Sequence, residues 1–170
     1  NANLHVAAGL AALLAVSCGA ATFEERLVAA VLMAEARSEG TVGMTAVGQV
    51  IVTRARNRGL TPARVVQEPG QFSPLRRTKP HRLIARYEKM PLYPEALRIA
   101  RTVVRGRTGF PGLTAGADHF ERIGAPTPYW ARGREPVAIV GGHRFWRLNP
   151  VEHTADNRGI RSRKEGDEHC

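Results

Sequence analysis

The 170-residue chain has little cysteine, little lysine and few aromatic residues, and each shortage closes off a class of function. Its two cysteines, Cys18 and Cys170, stand at opposite ends, so they form neither a metal-ligand pair nor a disulfide framework. Two histidines with nearby carboxylates, His119 and His143, are the only hint of zinc, and no H-E-x-x-H spacing accompanies them. The serines Ser17, Ser38, Ser73 and Ser162 lie in no strand–turn–helix elbow, which argues against serine hydrolysis. No glycine loop has a phosphate-binding form. There is no internal repeat and no Pro-rich or Gly/Ser-rich linker. The length therefore predicts one domain with tails, large enough to bury a core.

Charge is missing altogether from Leu4 to Ala21. The run Leu10–Val16 suits the apolar part of a signal peptide, and the small residues Cys18–Ala21 suit a signal peptidase, yet no positive charge precedes the run. It is also short and rich in Ala and Gly for a membrane span, which needs about 20 apolar residues. Three readings stay open for residues 1–21: an export signal, a weak anchor giving transient membrane association through residues 4–21, or a buried first helix. A lipoprotein cleavage site is a poor fit, because Ala15 stands where Leu or Val is usual.

What is abundant is arginine. With 25 Lys and Arg against 15 Asp and Glu the net charge is +10 and the pI is near 10.9, while lysine occurs only at 79, 89 and 164. A GC-rich genome produces the same arginine bias, so the bias carries no functional weight. The net charge itself implies an anionic partner: nucleic acid, a membrane surface or an envelope polymer. The cations are scattered over 54–64, 76–86 and 98–107 without a recognised nucleic-acid module, so no nucleic-acid partner is expected.

The periodicity predicts a mainly helical first half. Thr22-Phe-Glu-Glu25 is a capping box, and Phe23, Leu27, Ala30, Val31 and Ala34 follow at helical spacing, giving a helix from 23 to about 38 stopped by Gly40. A second helix is expected over 42–57, with Ala46, Val47, Val50, Ile51 and Arg54 as its stripe. A short third opens at Thr61-Pro62 and runs through Val66. Residues 71–74 read as an ordered loop. Residues 75–90 are basic, loosely periodic and interrupted by Pro80. Pro94 opens a further helix that Gly106 ends. Beyond Arg107 the helical period stops. Strands are expected at 117–120 and 137–140, and Gly141-Gly142 is a hairpin turn into a return strand, 143–146. The class is α+β, with a small antiparallel sheet or hairpin in the C-terminal half. The division is 1–21 as the apolar segment, 22–150 as the folded domain and 151–170 as a polar, flexible tail.

Within that frame Glu35 and Glu39 are the first candidates for chemistry. Four residues apart on one helix, they share a face. Glu35 sits in the last turn of an apolar helix, where the helix dipole and partial burial both push a carboxyl pKa upward. Such a carboxyl suits general-acid cleavage of a glycosidic bond. Aromatic residues gather late, at Phe120, Tyr129, Trp130, Phe145 and Trp146. Tyr129-Trp130 follows a Pro-x-Pro turn, where an exposed ring can stack on a sugar or plug the core.

These pieces resemble the SleB/CwlJ-type cell wall hydrolases. Ala34-Glu35-Ala36-Arg37-Ser38-Glu39 is similar to that family's E-A-R-G-E segment, with Ser38 for Gly. The helix through Thr53-Arg54 matches its Asn-Arg helix with Thr53 for Asn, and Gln71-Phe72-Ser73 matches its Q-F-S element. Gly116-Ala117-Asp118-His119-Phe120 resembles its Gly-Ala-Thr-His strand with Asp118 for Thr. Pro128-Tyr129-Trp130 and Gly141-Gly142-His143-Arg144-Phe145 complete the order.

The resemblance implies a lysozyme-like domain that cleaves peptidoglycan glycan strands as a lytic transglycosylase or muramidase. It implies Glu35 as the single catalytic acid and no metal or other cofactor. Glu39, Gln49, Gln71, Phe72, Ser73, His119, Tyr129 and Trp130 are the substrate-binding candidates. A monomer exported to the periplasm or cell envelope is expected, or alternatively a phage lysis protein or virion component. Two rivals remain. One is a nonenzymatic basic protein that binds nucleic acid or an anionic envelope polymer. The other is a zinc peptidase using His119 and His143.

Overall fold

The computed structural model describes residues 19–107 and 112–149, so the segments 1–18 and 150–170, on which the export, anchor and tail expectations fall, lie outside the described residues. The first helix, α1, spans Phe23–Ala36. The capping box is present as read: the Glu25 amide donates to Thr22 Oγ1 at 3.2 Å and the Thr22 amide to Glu25 Oε2 at 3.1 Å. Seven consecutive side chains, Leu27–Met33, are buried. A helix that is apolar all round must be enclosed on every side. Four others enclose it: α2 (Gly40–Arg58), α3 (Pro62–Gln67), α4 (Pro80–Tyr87) and α5 (Tyr93–Val104). Among the described residues no helix is long and apolar enough to cross a membrane.

Two expectations about helices fail for identifiable reasons. The first helix does not reach residue 38. Ala36 leaves helical geometry (φ −140°, ψ 17°), Arg37–Glu39 form a 3-10 turn, and Gly40 opens α2 rather than ending α1. Its φ of +64° and ψ of −155° suit glycine, so the chain can turn sharply into the next helix. Glu35 and Glu39 therefore do not share the face of one continuous helix. Pro80 likewise opens α4 instead of interrupting the basic stretch, because proline at the first helical position loses no hydrogen bond. On α4, Leu83, Ile84 and Tyr87 face the core while the charged residues stay outside.

The C-terminal half forms a three-stranded antiparallel sheet in the order β1-β3-β2: β1 His119–Arg122, β2 Ala138–Val140 and β3 His143–Trp146. The hairpin at Gly141-Gly142 is as read. Val140 pairs with His143 on one side of β3, and Arg122 pairs with His143 on the other. The first strand begins two residues later than its sequence suggests. Ala117 is fully buried in a turn, and only the Asp118 amide reaches Trp146 O, at 3.0 Å. A smaller core of Ala46, Val50, Ala117, Val140 and Phe145 glues the sheet to α2. Phe120 packs against both this cluster and the helical core. The sheet is thereby held beside the end of α1 that carries Glu35.

Candidate active site

Between the end of α1 and the sheet lies a cleft of about 660 Å³. Glu35, Gln71, Ser73, His119, Tyr129 and Trp130, all singled out in the sequence, line it. They come from α1, the 3-10 turn Ser73–Arg76 and its approach, β1, and the 3-10 turn Tyr129–Ala131.

Glu35 is half-buried in the last turn of α1. Ser73 Oγ donates a hydrogen bond to its Oε1 at 3.4 Å. Burial pushes the carboxyl pKa above its ordinary value. His143, Ser73 and Arg54 pull the other way without cancelling that effect. The group is thus inclined to keep its proton where a free glutamate would lose it.

Arg54 forms the floor. It is 6% exposed, although arginine is rarely buried unless paired. Its Nε donates to Asp118 O at 2.6 Å, its Nη1 donates to Gln71 O at 3.4 Å, and its guanidinium lies 5.3 Å from the Phe72 ring centroid. Burial, reinforced by Arg58, lowers its pKa to about 10, with Asp118 and Glu35 opposing, so it stays a cation at neutral pH. One side chain thus joins α2 to the loop before Ser73 and to the start of β1.

Asp118 fixes the other edge. Its Oδ1 accepts from the Leu148 amide at 2.8 Å and lies 3.0 Å from His119 Nδ1. Its Oδ2 accepts from the amide and side chain of Asn149 at 2.9 and 2.8 Å. Burial raises the Asp118 pKa, but these hydrogen bonds outweigh it, and the carboxyl titrates well below the usual aspartate range. His119 then faces Trp130 at 4.9 Å, and Trp130 meets the edge of Trp146 at 5.4 Å. This stack holds up the aromatic rim, where Tyr129 stands 81% exposed.

Three predicted residues stand outside the cleft lining. Gln49 is buried on α2, where its Oε1 accepts from both the amide and the hydroxyl of Thr114 at 3.0 Å. Phe72 is 2% exposed and lies between Arg54 and Phe120, so it belongs to the core. Glu39 faces the β2–β3 hairpin, its Oε2 2.6 Å from His143 Nδ1. The two histidines of the zinc alternative are each engaged by a different carboxylate, His119 by Asp118 and His143 by Glu39. Among the described residues no three His, Cys, Asp or Glu side chains gather closely enough to share a metal ion.

Conversely, Arg54, Arg76 and Arg122 line the cleft without having been named as site residues, and His143 and Glu121 line it although the sequence offered them only for the zinc alternative. For Arg54 the available signal was an arginine inside an apolar helical stripe. For His143 it was a histidine directly after a hairpin turn. The two exposed arginines offered none.

The sequence model of a cell wall hydrolase family matches residues 38–146, beginning just past Glu35. No curated protein matches the chain. Among solved structures, the catalytic domain of the Bacillus cereus SleB protein is 22% identical. It superposes with a TM-score of 0.55 over 72% of this chain and 88% of that one. The catalytic domain of the germination-specific lytic transglycosylase SleB from Bacillus anthracis is 21% identical, with a TM-score of 0.57 over 76% of this chain and 98% of that one. At this identity the likeness establishes a shared fold.

Proposed function

The chain belongs to the cell wall hydrolase family, whose members degrade peptidoglycan, and from that premise we propose that it cuts the glycan strands with Glu35 as a single general acid and base. The observation that carries this reading is the placement of Glu35: a half-buried carboxyl with a raised pKa, at the end of an apolar helix, in a cleft rimmed by the exposed ring of Tyr129 and the half-buried ring of Trp130. The Bacillus anthracis relative, named as a lytic transglycosylase, supports the same reaction class.

Protonated Glu35 donates to the glycosidic oxygen that follows N-acetylmuramic acid. The C1–O bond breaks, the leaving sugar departs as an alcohol, and positive charge develops at C1. The Glu35 carboxylate then takes the proton of the attacking hydroxyl as the new C1–O bond forms. Attack by the sugar's own C6 hydroxyl gives a 1,6-anhydro end, and attack by water gives a reducing end. The other carboxylate on the cleft wall, Glu121, accepts the Arg122 amide through its Oε1 at 2.9 Å. We assign the transglycosylase outcome, with Glu35 in both roles. Tyr129 and Trp130 offer faces for sugar rings, Gln71, Ser73 and His119 offer hydrogen bonds, and Gln49 and Phe72 support the wall from behind.

Peptidoglycan lies outside the cytoplasmic membrane, so the site of action is extracytoplasmic. Residues 22–150 form the catalytic domain, acting as a monomer. Residues 1–21 serve export or transient anchoring, and 151–170 form a tail. The same activity would serve envelope remodelling or phage lysis. Glu35→Gln should abolish muropeptide release from purified sacculi while the fold persists. Unchanged release would sink the proposal. Mass spectrometry of the wild-type products decides between an anhydro end and a reducing end.

A further inference from the structure

Glu39 is anchored at the back of the cleft wall, and the general-acid mechanism leaves it unused. Its Oε2 accepts from the Gly142 amide at 3.2 Å and lies 2.6 Å from His143 Nδ1, tying the hairpin turn to the junction of α1 and α2. Three glycines leave room for it. A Cβ at Gly43 would stand 2.5 Å from Glu39 Cβ, one at Gly141 would stand 2.9 Å from Oε2, and one at Gly142 would stand 3.2 Å from Oε1. The imidazole of His143 is gripped in turn, by the edge-on ring of Phe120 at 5.4 Å and by Phe145 at 6.3 Å.

His143 is only 4% exposed, yet it lines the cleft. With Nδ1 engaged by Glu39, Nε2 is the ring nitrogen left for a ligand. It is not sealed in: among the described residues, Arg144 Nε is the only side-chain nitrogen or oxygen buried without a hydrogen-bond partner. Nε2 is therefore not a buried atom without a partner, and the cleft is the space that His143 lines.

We propose that Glu39 is a positioning residue that holds His143 through Nδ1, and that His143 Nε2 accepts a hydrogen bond from a hydroxyl of the sugar bound beside Glu35. The inference rests on the glycan-cleaving reading of the cleft. A carboxylate on Nδ1 fixes the proton of a neutral imidazole there and leaves a lone pair at Nε2, as second-sphere carboxylates do for metal-bound histidines.

The test uses nitrogen-15 NMR of the wild-type full chain, together with kinetics of Glu39→Gln, His143→Gln and the double variant on purified glycan strands. The wild-type spectrum should show His143 with the Nδ1–H tautomer. Each single variant should lose about tenfold in kcat/KM, the scale of one well-placed hydrogen bond. The double variant should lose no more than His143→Gln alone, because Glu39 acts through the ring. An Nε2–H tautomer, full activity of His143→Gln, or losses that multiply in the double variant would overturn the inference. The NMR arm decides even where a variant fails to fold. Inactive Glu35→Gln beside fully active His143→Gln refutes this inference alone, whereas active Glu35→Gln refutes the glycan-cleaving reading itself.

Discussion

Ser73 Oγ donates to Glu35 Oε1 across 3.4 Å, joining the last turn of α1 to a 3-10 turn 38 residues further on. The bond favours the ionised carboxyl, against burial, which favours the protonated one, and burial prevails. An acid with this balance gives up its proton during bond cleavage and can then hold the resulting charge on a donor already in place.

That balance sets the pH profile. In the proposed mechanism Glu35 carries its proton for the first step, so activity should fall as pH rises through its native pKa, which lies above the ordinary 4.5. Ser73→Ala removes a group that stabilises the carboxylate. The limb should then move to higher pH, while kcat falls by roughly threefold to tenfold for the lost hydrogen bond. Glu35→Gln should cost about a thousandfold. Rate measurements on purified glycan strands across pH check all three outcomes. A Ser73→Ala limb that stays in place or moves down would contradict the assignment.

The raised pKa also has a consequence for stability. The native chain binds the Glu35 proton more tightly than the unfolded chain does. The associated stabilisation is complete below the unfolded pKa and is lost as pH rises through the native one. Gln at this position never ionises. Denaturant unfolding of Glu35→Gln should match the wild type below about pH 4 and show a gain of about 1 kcal/mol near pH 7, the usual scale for relieving a strained active-site group. A variant less stable than the wild type at neutral pH would show that the carboxylate is not penalised by its surroundings.

Asp118 behaves in the opposite sense. Its carboxyl is held below the usual range by His119, Leu148 and Asn149, so its contribution is full above the unfolded pKa of 3.8 and is lost as pH falls toward the depressed native value. Asp118→Ala leaves the Leu148 and Asn149 amides without their acceptor and frees His119 from its anchor. It should cost about 2–4 kcal/mol at neutral pH, with the deficit shrinking in acid. Thermal melts at several pH values measure both parts. A deficit independent of pH would mean that the carboxylate's charge is not what ties the segment down.

The sequence carried the helices that announce themselves by period and cap. Thr22–Glu25, Thr61-Pro62 and Gly141-Gly142 each encode a local geometry that no tertiary contact overrides. It misled where one residue serves two opposite purposes. Pro80 and Gly40 read as breaks, and each starts a helix. In the site, Glu35 was legible because an acid at the end of an apolar run conflicts with its surroundings. The separation of Glu39 from it was not, because that depends on Ala36 leaving helical geometry. Gln49 and Phe72 looked like cleft residues from the motifs around them. Only packing shows Gln49 turned to Thr114 and Phe72 lying under Arg54.

Tyr129 offers the cleanest separation of binding from folding. Its ring is 81% exposed at the cleft rim, next to the supported stack of Trp130, His119 and Trp146. An exposed side chain with so little packing should change stability by less than about 0.5 kcal/mol when truncated. If the ring receives a sugar face, Tyr129→Ala loses one aromatic contact, about 1 kcal/mol, and KM rises roughly fivefold while kcat holds. Tyr129→Phe keeps the face and should keep KM, whereas Tyr129→Ser should behave like alanine. Trp130→Ala is the contrasting case. It breaks the stack that supports the rim and should lower thermal stability as well as binding. Equal KM values for wild type and Tyr129→Ala would remove the ring from the substrate path and leave Trp130 as the candidate aromatic platform of the cleft.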